Sequence, residues 1–229
     1  MRQSTGESHL ITLLNPKSPI SESYRKLRTN IQFSSLDTPM KVLMVASAQV
    51  DEGKTTTISN LAIAYAQEGK KVLLLDADLR KPSLHRVLSQ NNRNGLTNIL
   101  TDQIKWRDAI KSTEIENLSV LVAGPIPPNP SEILGNHRMN SLLEELKEQF
   151  DIVLIDTPPI LAVTDSLIVS ALCDGVIMVV SAGKVDKELV KKAKASLEHV
   201  NARIIGAVLN NINRKDIKSG FNYVYGVAE

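Results

Sequence analysis

The sequence predicts a doubly wound, mainly parallel α/β sheet flanked by helices. Three observations predict it. Short apolar runs rich in Val, Ile and Leu alternate with longer stretches of helical periodicity, the pattern of strands buried on both faces and joined by crossover helices. One such run, 42–46, passes through a short polar loop into Gly53-Lys54-Thr55 and an alanine-rich helical stretch. Two further runs, 71–75 and 151–155, end in aspartates: Asp76 and Asp78 after the first, Asp156 after the second. Ligands of open parallel sheets sit at the carboxyl ends of the strands, so the three polar motifs would open on one edge.

Bulk properties narrow the class. The 229 residues suffice for one α/β domain with tails. With 42% hydrophobic and 23% charged residues, the chain has the composition of a folded globule and not of a disordered one. A net charge of +2 is nearly balanced and argues neither for nor against nucleic acid, which is not expected as a partner. The single cysteine, Cys173, excludes a disulfide framework and a multi-cysteine metal site, and its helix-like surroundings make it a small buried hydrophobe. No apolar run approaches the roughly 20 residues that cross a bilayer, and the polar N-terminus has no signal-peptide core. The expectation is a cytoplasmic protein that reaches a membrane only through a partner.

The elements follow in order. Residues 1–20, polar and punctuated by Pro16 and Pro19, read as a mobile arm ahead of a main domain, 21–212. Ser21 reads as the N-cap of a helix to residue 34, with Ile20, Tyr24, Leu27 and Ile31 on one stripe and Glu22, Arg25 and Arg28 on another. From the residues alone that charged stripe is a solvated face with intrahelical pairs. A strand over 42–46 and a helix over 56–67 follow, the helix stopped by Gly69. After the strand at 71–75, residues 83–117 alternate short helical pieces with turns, and Trp106 reads as a packing residue. A strand at 118–123 leads into a proline-stiffened loop, 124–130, and an amphipathic helix, 138–150. The strand at 151–155, a helix at 165–173, a strand at 175–180, a lysine-rich helix at 187–200 and a strand at 203–210 complete the domain. Residues 213–229 are polar and glycine-broken, a flexible tail that carries Tyr223 and Tyr225.

Strand, loop with Gly-Lys-Thr, helix is the P-loop layout for a nucleoside triphosphate. Unpaired N–H groups of the loop and first helical turn point at one spot, where the helix dipole adds positive potential. Asp51, Glu52, Gly53, Lys54, Thr55 and Thr56 are therefore the candidate nucleotide-binding residues. Lys54 would reach the β and γ phosphates, and the Thr55 hydroxyl would ligate Mg²⁺. Ala48 stands where the full pattern has its first glycine. Asp156 is placed as a Walker B carboxylate, holding metal-bound water. Asp76 and Asp78 alternate with Ala77, face the same way if extended, and exceed what ATP binding requires. One of them would orient or deprotonate an attacking hydroxyl. Aspartates at such a place also cap helices and form turns.

The set LLLDADLRKP, AGPIPPNPSEIL, IVLIDTPP and ESYRKLR closely resembles the bacterial tyrosine kinases (BY-kinases), in particular the cytoplasmic CpsD/CapB-type kinases of Gram-positive capsule and exopolysaccharide systems. The resemblance runs from about Ser18 to the tail. It implies ATP and Mg²⁺ as cofactors, Asp76 as the base toward tyrosine, and Asp78 and Asp76 beside Thr55 and Asp156 at the metal. It places Arg80 and Lys81 as a basic pair that steadies transferred phosphate, with Arg80 counted among the catalytic groups. It makes Glu22, Arg25 and Arg28 the subunit-contact helix of a ring, reversing the solvated-face reading. It makes Tyr223 and Tyr225 phosphorylation sites modified in trans by a neighbouring subunit. The implied partners are other copies of the chain, a membrane adaptor that activates the kinase at the inner face of the membrane, protein-tyrosine substrates and a cognate tyrosine phosphatase. Analogy with related P-loop ATPases adds Asn210 as an adenine contact.

Two other functions fit parts of the pattern. A ParA/MinD-type ATPase switch shares the P-loop architecture, but Gln49 stands where those proteins carry a signature lysine, and the tail forms no useful amphipathic helix. An ATP-binding scaffold of a polysaccharide export complex would need none of the catalytic groups that the chain retains.

Overall fold

The apolar runs become the strands of one sheet. The computed structural model describes residues 10–34 and 39–212. Its strands are β1 (Val42–Ala46), β2 (Val72–Asp76), β3 (Lys111–Ser112), β4 (Leu118–Leu121), β5 (Ile152–Asp156), β6 (Gly175–Ser181) and β7 (Ile204–Asn210). Their order is β3-β4-β2-β5-β1-β6-β7, parallel throughout except where β3 meets β4. The expected fold class therefore holds. The sequence reading lacked only β3, whose two residues carry no periodicity to detect.

Ten helices connect and cover the strands among the described residues: α1 (Ile11–Leu14), α2 (Pro19–Phe33), α3 (Lys54–Ala66), α4 (Leu84–Val87), α5 (Leu96–Leu100), α6 (Trp106–Ala109), α7 (Pro130–Leu134), α8 (His137–Gln149), α9 (Asp165–Ser170) and α10 (Lys187–His199). The period-two alternation of strand side chains divides the core. Leu43, Val45, Leu74, Leu154 and Ile177 meet Ile58 and Leu61 of α3 on one face. Met44, Leu73, Leu75, Val153, Ile155 and Met178 meet Leu142 and Leu146 of α8 and Leu197 of α10 on the other. Both faces are dry, which is why the central strands are apolar at every position. Each such side chain stabilises the fold by about 1.5–3 kcal/mol.

The N-terminal arm is shorter than its composition suggests. From residue 10 onward the chain packs on α3: Leu10 and Thr12 are buried, and the Thr12 N–H donates to Asn60 Oδ1 at 2.9 Å. α2 begins at Pro19 with Ser18 as its N-cap, not Ser21. The Ser18 hydroxyl accepts the Ser21 N–H at 3.0 Å, and Pro19 is pre-set for a first helical turn. Ser21 is buried instead, and its hydroxyl donates to the Asn15 carbonyl at 2.6 Å. Residues 1–9 and the segment 213–229, with Tyr223 and Tyr225, lie outside the described residues.

The charged stripe of α2 splits in two. Glu22 and Arg25 pair with each other at 2.9 Å on the surface. Arg28 turns inward: its Nη1 donates to the Ala64 carbonyl at 2.7 Å and its Nη2 lies 3.4 Å from Glu68, which ties α2 to the end of α3. Cys173 is half-buried, as expected of a packing thiol, and donates to the Val169 carbonyl at 3.2 Å. Burial pushes the thiol pKa up, so it stays protonated.

Candidate active site at the carboxyl edge of the sheet

The loop after β1 is held by groups that sequence reasoning gave to the nucleotide. Gly53 is the N-cap of α3 at φ 90°, a left-handed conformation open to glycine, and a Cβ there would sit 2.1 Å from Asn210 Nδ2. Glu52 is fully buried; its carboxylate accepts the Gln49 N–H at 2.7 Å and the Ser181 N–H at 3.1 Å. Asn210 donates to the Glu52 carbonyl at 3.0 Å, and Lys184 Nζ to the Asp51 carbonyl at 3.0 Å. The side chains of Glu52 and Asn210, expected at the nucleotide, thus brace the loop. The reason is that a buried carboxylate must find donors, and here the donors come from the loop and from β6. The amides of Lys54, Thr55 and Thr56 have no intrahelical acceptor and are placed to receive an anion. Ala48 is buried and does not take a positive φ, so this loop needs no glycine there.

Beside the loop, β2 and β5 bring two aspartates together. Asp76 and Asp156 are partners in the strand register, and both are buried. Thr55 Oγ1 donates to Asp156 Oδ2 at 2.5 Å, while Asp156 Oδ1 is buried with no partner among the described residues. Asp76 Oδ2 accepts the Ser83 and Leu84 N–H groups, both at 3.0 Å, and its Oδ1 accepts the Asp78 N–H at 3.1 Å. Asp78 Oδ1 accepts the N–H groups of Lys81 at 2.9 Å and Arg80 at 3.3 Å. The aspartates therefore shape the turn that carries them.

Burial, and next the charge of Asp156, push the Asp76 carboxyl well above the usual carboxylate range, against the pull of the Leu84 and Ser83 amides. Burial also pushes Asp156 up, offset in part by the Thr55 hydroxyl and by Lys54. Two carboxyls so placed resist ionising together unless a cation joins them.

Among the described residues no three His, Cys, Asp or Glu side chains converge into a metal cage. Mg²⁺ needs none, because it takes one or two carboxylates and fills its octahedron with water and phosphate oxygens. The unpartnered Oδ1 of Asp156 and the Thr55 hydroxyl are hard oxygen donors that fit it. Asp76, expected at the metal as well, has both oxygens engaged by three backbone N–H groups and fits a fixed base better. Asp78 keeps Oδ2 without a partner among the described residues and can face a cation with that atom.

Arg80 is not free to meet phosphate. Its Nε donates to Asp165 Oδ2 at 2.8 Å and its Nη2 to Asp165 Oδ1 at 3.0 Å, with Ser131 Oγ a further 3.0 Å acceptor. Burial would raise the pKa of Asp165, but the bonds from Arg80 and Ser131 outweigh it and hold the carboxyl below its usual range. Arg80 thus clasps the aspartate turn to α7 and α9 and positions it, where the resemblance implied a catalytic contact. Asp165 lies 85 residues from Arg80 in the chain, and no local pattern marks the pair.

Comparison with known proteins agrees with this geometry. Residues 40–205 match the AAA domain family. The tyrosine-protein kinase YwqD of Bacillus subtilis is 45% identical over 209 residues, covering 91% of this chain and 88% of the relative. The putative tyrosine-protein kinase CapB of Staphylococcus aureus is 40% identical over 211 residues, covering 92% of each. The chain belongs to the bacterial tyrosine-protein kinase family. The solved kinase domain of the Escherichia coli tyrosine kinase ETK superposes with a TM-score of 0.88 at 33% identity, covering 98% of this chain and 87% of that one. The P-loop and the edge formed by β1, β2 and β5 are thus parts of a tyrosine-protein kinase. Membership in this family also sets aside the partition-ATPase reading.

Proposed function

We propose that this kinase transfers the γ-phosphoryl group of ATP to tyrosines of its own C-terminal segment, Tyr223 and Tyr225, presented by a neighbouring copy. The observation that carries the reading is Asp76: a buried carboxyl with a raised pKa, fixed by backbone N–H groups and set beside Asp156 and the P-loop. A base tuned upward toward neutrality suits abstraction from a phenol. The tyrosine Oη attacks the γ-phosphorus, the bond to the β–γ bridging oxygen breaks, ADP leaves, and the phenolic proton passes to Asp76. Lys54 and the amides of residues 54–56 hold the phosphates in line. Mg²⁺, when bound at Thr55 and Asp156, neutralises phosphate charge.

The test is phosphosite mapping by mass spectrometry after incubation with Mg²⁺-ATP. The wild type gains phosphate on Tyr223 or Tyr225, and Asp76→Ala does not. An ATP-bound wild type without phosphotyrosine in that segment overturns the reading.

The wider setting rests on the motif likeness: a ring of copies, an activating membrane adaptor, a cognate phosphatase, and control of capsule or exopolysaccharide synthesis. Among the described residues no helix is long and apolar enough to cross a membrane, so an adaptor would supply the anchoring. The ring has a sharp test on α2. Arg25 is partly exposed and, among the described residues, its side chain bonds only to Glu22 and the Pro16 carbonyl, whereas Arg28 braces α3. Arg25→Ala lowers the mass found by light scattering and leaves the melting temperature unchanged. Arg28→Ala lowers the melting temperature by about 2–4 °C, the expected size for about 1 kcal/mol in a domain of this size. Unchanged mass in Arg25→Ala rules out this helix as the contact.

A further inference from the structure

We propose that the basic cavity beside the Asp76–Asp78 turn is a phosphotyrosine subsite, which holds one phosphorylated tyrosine of an acceptor segment while its neighbour two residues away is phosphorylated. The inference rests on the kinase reading above and names a specificity device within it. The cavity has a volume of about 410 Å³ and is lined by Arg80, Lys81, Pro82, His85, Arg86, Asn92 and Ile126, with no carboxylate among them. Arg80 is neutralised by Asp165. Lys81 and Arg86 are exposed and have no ion pair among the described residues. Two uncompensated cations match the charge of about −2 on phosphotyrosine, and the Arg86 guanidinium suits bidentate contact with its oxygens.

The walls suit the ring. Ile126 is 64% exposed, an apolar side chain on an otherwise polar rim. Asn92 fixes that wall, donating to the Gly124 carbonyl at 2.7 Å and accepting the Gly124 N–H at 2.9 Å. His85 Nδ1 is buried without a partner among the described residues, and burial holds the imidazole pKa below its usual value.

The position suits the reaction. Arg80 and Lys81 donate their N–H groups to Asp78, and Ser83 and Leu84 donate theirs to Asp76; Arg80, Lys81 and Pro82 of the cavity lie on that turn, and His85 and Arg86 follow it on α4. Tyr223 and Tyr225 are separated by Val224 alone. In an extended segment such residues lie on one side, roughly 6.6–6.8 Å apart. One phenol can then meet Asp76 while the other, already phosphorylated, lies in the cavity. The first transfer would promote the second.

The test uses the full chain with Mg²⁺-ATP and three synthetic peptides of residues 219–229: unmodified, phosphorylated at Tyr223, and phosphorylated at Tyr225. The wild type phosphorylates at least one monophosphorylated peptide with a kcat/KM about tenfold above that of the unmodified peptide. In Arg86→Gln the ratio falls to near one, and Arg86→Lys recovers part of it. A ratio near one in the wild type, or an unchanged ratio in Arg86→Gln, overturns the proposal. Fluorescence anisotropy with the same peptides and nucleotide-free protein separates binding from catalysis. The phosphopeptide binds about tenfold more tightly than the unmodified one, and Arg86→Gln abolishes the difference; equal binding overturns the subsite. Preferential binding without transfer to any peptide overturns the kinase reading and leaves the subsite standing.

Discussion

Replacing Lys54 with methionine lowers tyrosine phosphorylation by about 10²–10³-fold, the cost of losing one preorganised charge at a reacting phosphate. Methionine keeps an unbranched apolar stem close in length to that of lysine and lacks the ammonium. Lys54 is almost wholly buried at the start of α3 and close enough to Asp156 to lower its pKa. The variant therefore loses two things: a cation on the phosphates, and a counter-charge that lets Asp156 ionise and take up Mg²⁺. Single-turnover transfer from radiolabelled ATP measures the first loss. Titration of nucleotide binding against Mg²⁺ measures the second and shifts to higher Mg²⁺. A variant with undiminished single-turnover rate would refute the role.

Asp76→Asn has an effect of similar size for a different reason. Removing a general base costs about 10²–10⁴-fold in transfer, with nucleotide affinity nearly kept. The asparagine oxygen can still accept the Ser83 and Leu84 N–H groups, but its amide then faces the Asp78 N–H, donor against donor. Against that cost, the variant loses a buried charge next to Asp156. The pH dependence carries the sign. The base must be unprotonated, so wild-type transfer rises with pH, and the raised pKa places that rise above the ordinary carboxylate range; the variant lacks the rise. Stability runs the other way. A folded-state pKa raised above the unfolded value of 3.8 contributes stability that is full below that value and lost as pH climbs through the folded one. Without Mg²⁺ and nucleotide, the wild-type melting temperature should therefore fall from acid toward neutral pH more steeply than that of Asp76→Asn. Asp165, held low by Arg80, acts in the opposite sense at acid pH, and the difference between the two proteins cancels it. Parallel stability curves would show that Asp76 carries no buried charge.

Much of this carboxyl edge was legible because its parts are local. A P-loop needs a strand, a few loop residues and a helix start within one short stretch, and Gly53, Lys54 and Thr55 lie there in the order the chemistry requires. Asp76, Asp78 and Asp156 each close an apolar strand, and a parallel sheet puts such ends on one edge. Boundaries were less legible. Ser18 and Pro19 cap α2 where Ser21 had looked the better cap, because Ser21 is drawn inward by the Asn15 carbonyl. Residues 10–20 were read as mobile from their polarity, yet Leu10 and Thr12 are buried and the Thr12 backbone bonds to Asn60 and Gln67.

Roles were the least legible. Glu52, Arg80, Arg28 and Asn210 all carry groups that suit a nucleotide or a subunit contact, and each is engaged elsewhere in the fold. Their partners, Ser181, Asp165, Ala64 and Glu52, come from distant parts of the chain. The sequence by itself determined the fold class, the strand–loop–helix around Gly53-Lys54-Thr55, the aspartates that end the strands at one edge and the kinase family, since these depend on residue type and short-range spacing. Only the tertiary structure decided which charged side chains are left open at that edge and which brace it. A buried charge takes the nearest donors that folding provides, and nearness in space is not written in the order of the chain.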